Sequence, residues 1–126
     1  MGVDNLIKVF DESYYTKLDG GILEAFSKLF TKNITIFLYP MLRKNKIINS
    51  SKLIVSKSMK NLYKYFIKNT RIIDISDYNQ SYLSIFSSDV LKKIQSNEKG
   101  WENSLPENVS DLIKEKKLFG LKELQR

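Results

Sequence analysis

Apolar residues recur along this chain at two different spacings, and the spacing changes tell where elements begin and end. Leu6, Ile7, Val9 and Phe10 follow Asp4, which predicts a short helix within residues 1–10 with an acidic first turn. Asp19-Gly20-Gly21 interrupts it. Ile22, Leu23, Phe26, Leu29 and Phe30 then repeat at helical spacing, predicting a second amphipathic helix that ends near Asn33. Residues 34–39 are β-branched and aromatic and stop at Pro40, the pattern of a short buried strand. A loop is expected over 41–51, a helix over most of 52–68, and a second short strand over 71–75.

Two further helices are predicted towards the C-terminus. One opens at Ser87-Ser88-Asp89. The other is announced by Ser104-Leu105-Pro106-Glu107, which has the form of a capping box with proline in the first turn. Leu105, Val109, Leu112 and Ile113 would form its apolar face, Gly120 its stop, and Leu118 and Phe119 would pack back on the domain. Strands separated by helices imply parallel pairing through crossovers, hence an α/β sheet. Two strands make a poor sheet alone, because a parallel sheet needs both faces covered. Ligands in such sheets sit at the carboxyl ends of the strands.

Composition narrows the chemistry. The 126 residues are 42% hydrophobic, enough for a packed core and consistent with one domain. Neither cysteine nor histidine occurs, which excludes thiolate nucleophiles, histidine acid–base catalysis and the usual zinc sites. The formal charge of +7 favours anionic ligands without choosing among nucleotide, nucleic acid and acidic lipid. Lysines between Arg43 and Arg71 alternate with Tyr63, Tyr65 and Phe66. That mixture could suit base stacking beside phosphates, but the favoured reading is a helix burying Leu62, Tyr65 and Phe66 with Lys57, Lys60, Lys64 and Lys68 in solvent. No run of about 20 apolar residues and no basic-then-apolar leader is present, so an intracellular protein, cytoplasmic or nuclear, without a membrane partner is expected.

Ser87 and Ser88 open a basic helix, and the first turn of a helix has N–H donors without intrahelical partners, an arrangement that suits a nucleotide phosphate. The plainer reading is a serine N-cap on a surface helix.

Gly2-Val3-Asp4, Phe10-Asp11-Glu12-Ser13-Tyr14-Tyr15, the strand before Pro40, the Ser87-Ser88 helix, Leu105-Pro106-Glu107 and Leu118-Phe119, in that order, resemble the C-terminal half of a nicotinamide-mononucleotide adenylyltransferase. The resemblance is to the divergent fungal-type branch of this cytidylyltransferase-like superfamily and spans nearly the whole chain. It implies a partial Rossmann-like nucleotidyltransferase fold, with residues 1–126 as the C-terminal portion of a single domain whose N-terminal half is missing. It also implies transfer of AMP from ATP to nicotinamide mononucleotide (NMN), giving NAD and pyrophosphate, with magnesium assisting. Gly2 and Asp4 resemble the family's Gly-x-Asp segment at the dinucleotide site. Ser87 and Ser88 resemble the last two positions of its Ser-Ser-Ser/Thr phosphate motif. Lys92 and Lys93 are possible phosphate contacts, and Tyr14 or Tyr15 would lie near the pyridine.

The departures shape the functional expectation. Phe86 stands at the motif's first serine position and Leu91 at its arginine. Pro40 stands where an arginine is common, with Arg43 downstream, and the histidine-bearing Gly-x-Phe-x-Pro-x-His segment does not occur. No catalytic residue and no metal ligand is therefore assigned. The expectation is a fragment or degenerate form with little activity alone, completed by a missing half or a partner chain. The alternative is a non-catalytic nucleotide-binding or protein-interaction module, and a basic nucleic-acid-binding protein ranks last.

Overall fold

The computed structural model describes residues 1–121 of a chain that divides into two compact units, Met1–Gln80 and Ser81–Arg126. The first carries helices α1 (Val3–Val9), α2 (Gly21–Leu29) and α3 (Lys60–Lys68) and strands β1 (Ile36–Leu38), β2 (Met41–Arg43), β3 (Lys46–Ile48) and β4 (Ile72–Asp74). The second carries α4 (Ser87–Ser96) and α5 (Val109–Lys116), with 3-10 turns at Trp101–Ser104 and Leu118–Gly120. The mixed α/β class with a small parallel sheet and flanking helices is as expected. No helix among the described residues is long and apolar enough to cross a membrane.

The parallel sheet is built around β1. Its residues pair with β4 in the register Ile36 to Ile72, Phe37 to Ile73 and Leu38 to Asp74. On its other edge β1 receives the start of the chain: the Met1 nitrogen donates to Phe37 O at 2.7 Å, Tyr39 N donates to Met1 O at 2.8 Å, and Gly2 bridges to Tyr39 in parallel. Alternate residues of a strand point their backbone groups to opposite edges, so β1 serves both neighbours. Its side chains alternate likewise. Ile36, Leu38 and Ile72 are buried, whereas Phe37 is 57% exposed with its register partner Ile73 beside it.

The core of this unit is aromatic. Phe10, at the end of α1, is fully buried and meets Phe26 of α2 and Tyr63 and Phe66 of α3 edge-on, with ring centroids 5.1, 5.1 and 5.6 Å apart. Such pairs contribute about 0.5–1.5 kcal/mol each beyond their buried area. Two polar anchors close the unit. Arg71 donates to Phe30 O, Thr31 O and Lys32 O at 3.0, 2.6 and 2.6 Å, satisfying carbonyls left at the end of α2. The Asp74 carboxylate accepts from Ser50 N at 2.9 Å and Ser50 Oγ at 2.6 Å, while Tyr63 OH donates to Ser50 O at 2.7 Å. These bonds tie the segment after β3 to both β4 and α3.

In the second unit Val90, Ile94, Trp101 and Ile113 form a small cluster, with Leu105, Val109, Leu118 and Leu121 packed against it. Lys114 spans its edge, pairing with Glu102 at 2.8 Å and lying 5.4 Å from the Trp101 ring centroid.

Five expectations are corrected. The segment expected as a loop over 41–51 is, over 41–48, the antiparallel β2–β3 hairpin, turned by Lys44 and Asn45, both at positive φ (48° and 59°) as a two-residue primed turn requires. Helix α3 begins at Lys60 rather than near residue 52, and it buries Tyr63 and Phe66 while Tyr65 is exposed. In α2 the buried stripe runs through Ile22, Ala25 and Phe26, leaving Leu23 and Leu29 exposed. The capping box at Ser104 does not form. Leu105, held extended (φ −117°, ψ 155°) before Pro106, delays α5 to Val109. That helix then ends before Gly120, at Lys117 in left-handed backbone (φ 49°); Leu118 packs back, whereas Phe119, also left-handed, is turned outward.

Candidate functional site

In the first unit, Gly2 and Asp4 sit where three parallel runs end together. Gly2 is level with Tyr39, just past β1, and Asp74 ends the neighbouring β4. Val3 turns directly into α1 and is buried, which fixes the direction of the chain; Asp4, one residue on, is exposed. This is the carboxyl rim of the sheet, where ligands of open α/β folds sit. Gly2 itself has ordinary extended backbone (φ −84°, ψ 164°), and a Cβ there would meet nothing within 4 Å. The fold therefore does not require glycine at this position, and the space beside it is open.

The two tyrosines differ. Tyr15 is part of the framework, since its hydroxyl donates to Val9 O at 2.9 Å and its ring lies 6.2 Å from Phe26. Burial, assisted by the Asp11 carboxylate, raises its pKa. Tyr14 is 64% exposed and is the freer of the two to meet a ligand.

In the second unit, Phe86 rather than a serine holds the cap position of α4, with extended backbone and no side-chain cap bond. The serine N-cap expectation is corrected: Ser87 and Ser88 are the first two helical residues, both exposed. Intrahelical bonding begins with Asp89 N and Val90 N donating to Phe86 O at 3.0 and 3.1 Å. The backbone donors of Ser87 and Ser88 thus lie in the turn where helices leave them without intrahelical acceptors. Ser87 and Ser88 border a mainly apolar cleft of about 550 Å³ with Leu91, Leu105 and Phe119. Lys92 and Lys93 border a separate groove of about 510 Å³, together with Asp89 and Glu98. The serines and the lysines of α4 therefore border different cavities, although Ser88 and Lys92 are one helical turn apart. At Leu91, where the resembled motif has arginine, the wall is apolar.

No protein-family model matches the chain, and no curated protein or solved structure does.

Sequence reasoning missed the Asp74–Ser50–Tyr63 network, the most polar feature near the rim. Burial and the Asp74 carboxylate push the Tyr63 pKa up to about 12. Asp74 at the end of an apolar strand was a legible signal of a carboxylate needing partners, but nothing local singles out Ser50, 24 residues away. Among the described residues no three His, Cys, Asp or Glu side chains cluster as metal ligands.

Proposed function

We propose that this protein binds a nicotinamide nucleotide at the rim formed by Gly2 and Asp4, as the corresponding half of a nicotinamide-nucleotide adenylyltransferase would. The observation that carries the reading is the parallel pairing of Gly2 with Tyr39, which sets a Gly-x-Asp segment at the carboxyl ends of adjacent parallel runs. In this reading the open space beside Gly2 admits a ligand close to the backbone, and the exposed Asp4 carboxylate accepts its hydroxyl or amide hydrogens. Tyr14 supplies an exposed ring for the pyridine. Within the second unit, the first turn of α4 offers N–H donors of its own to a phosphate.

The chain has no histidine to stabilise a leaving pyrophosphate. The proposal therefore assigns it binding, with adenylyl transfer between ATP and NMN requiring groups from elsewhere. Without a ligand cluster of its own among the described residues, the chain admits magnesium only as a companion of the nucleotide's phosphates. A role in nucleotide metabolism would place the protein inside the cell.

Isothermal titration with NAD, NMN and ATP, each with magnesium, tests this. NAD or NMN should bind, and Asp4→Ala should weaken binding at least tenfold while leaving the melting temperature unchanged, since Asp4 is exposed. No binding of either pyridine nucleotide by the folded protein, or equal binding by Asp4→Ala, would overturn the assignment.

A further inference from the structure

A second concavity in the first unit has a different chemistry. Between the irregular segment that follows Ser50 and helix α3 lies a groove of about 560 Å³, whose walls include Leu53, Val55, Tyr63 and Ile67. Its polar atoms are already spent inward: Tyr63 OH donates to Ser50 O, and Ser50 Oγ donates to Asp74. The interior thus offers apolar contact and little hydrogen bonding. Every charged residue on the lining is a lysine, namely Lys57, Lys60 and Lys64, and all three are exposed. Among the described residues none of the three forms an ion pair; such pairs join Lys28 to Glu24 and Lys114 to Glu102. At the mouth Ile54 is 88% exposed, and its backbone N–H and that of Val55 have no hydrogen-bond partner among the described residues.

The geometry points to a docking site for an acidic, amphipathic segment of a partner protein. One apolar side chain of that segment fills the groove, and its Asp or Glu residues meet Lys57, Lys60 and Lys64. Charge complementarity selects the acids: three like charges around one apolar depression leave an uncharged occupant no reason to prefer this face, and repel a basic one. Concavity selects a peptide over a lipid surface, since a groove receives an inserted side chain whereas a bilayer is entered by a protruding one. The free backbone donors of Ile54 and Val55 suit a polypeptide, which brings carbonyl acceptors at matching intervals. The site uses none of the residues assigned to the nicotinamide nucleotide.

Selection from a random 12-residue peptide display library tests the proposal, using the full chain as bait and Lys57→Glu/Lys60→Glu/Lys64→Glu as the counter-bait. The substitutions are on exposed side chains, and circular dichroism checks that the variant is folded. Peptides enriched on the wild type should combine Asp or Glu with a large apolar residue. By fluorescence anisotropy they should lose at least tenfold in affinity on the triple variant and on replacement of their acids by amides. A second variant, Val55→Trp, fills the groove without changing charge and should also weaken them, whereas Asp4→Ala should not. Enrichment without acidic bias, retention by the triple variant, or no enrichment would overturn the proposal. So would binding of vesicles containing phosphatidylserine by the wild type with no peptide selected, which would reassign the face to a membrane surface.

Discussion

The interiors of the two units are stabilised by different means. In Met1–Gln80, four aromatic rings from three helices meet edge-on, and the polar anchors reach far along the chain: Arg71 to carbonyls 39 to 41 residues away, Asp74 to Ser50 across 24. In the second unit the core cluster is Trp101 with three residues around it, Val90, Ile94 and Ile113. Its Lys114–Glu102 pair is largely solvated, and exposed pairs of this kind contribute little. Long-range anchors fix the positions of segments that the sequence separates widely. They are what give the first unit a defined sheet rim, where Gly2 and Asp4 sit. A small local cluster orients helices but leaves surfaces such as the Ser87-Ser88 turn free of internal duties.

That contrast can be broken most severely at Phe10. Phe10→Ala removes the ring that three others contact, and it should cost about 3–5 kcal/mol, measured by urea unfolding followed by far-ultraviolet circular dichroism. A loss under about 1 kcal/mol would mean the aromatic cluster is not what holds the first unit. Ser50→Ala comes next. It removes the hydroxyl that donates to Asp74 and leaves the backbone N–H of residue 50 on the carboxylate, and should cost about 1–3 kcal/mol in the same measurement.

Tyr63 sharpens the same point through pH. Its folded pKa of about 12 lies above the ordinary value of 10.0, so the folded state holds this proton more tightly than the unfolded one. The associated stability is fully present below pH 10 and is lost as pH rises from 10 towards 12. Tyr63→Phe should therefore flatten the fall in urea midpoint between about pH 10 and 12. Every other group is common to both proteins, so the difference between them isolates Tyr63. The smallest effect is expected in the second unit: Ser87→Ala/Ser88→Ala should change stability by less than about 0.5 kcal/mol, because Phe86 and not a serine occupies the cap position.

Much of the first unit's architecture is written in local patterns. The Ile36 and Ile72 strands, the Gly20-Gly21 break and the α1 and α2 helices all follow from spacing and propensity, which short-range physics enforces. The β2–β3 hairpin did not show, because Lys44-Asn45 lacks the glycine that usually marks a primed turn. Asparagine tolerates left-handed backbone well enough to replace it at one position, but lysine gives no such sign. The identity of the buried α3 residues was shifted for a tertiary reason: Tyr63 is drawn inward by Ser50 O and the Phe10 ring, turning Tyr65 out. At the candidate site, Gly2 and Asp4 were legible as a motif. Their place on the rim was not, because it depends on Gly2 pairing with Tyr39, far along the chain. That Ser87 and Ser88 border one cavity and Lys92 and Lys93 another was not legible, since Ser88 and Lys92 are one helical turn apart; the separation depends on what lies around α4, Leu105 beside the serines and Glu98 beside the lysines.

The most direct test of nicotinamide-nucleotide binding at the sheet rim is a titration of the ¹⁵N-labelled protein with NAD, followed by amide chemical shifts. The amides of Gly2, Val3 and Asp4 should move first and saturably. Unmoved rim amides at saturating NAD, or shifts confined to the lysine groove around Lys57, Lys60 and Lys64, would contradict it.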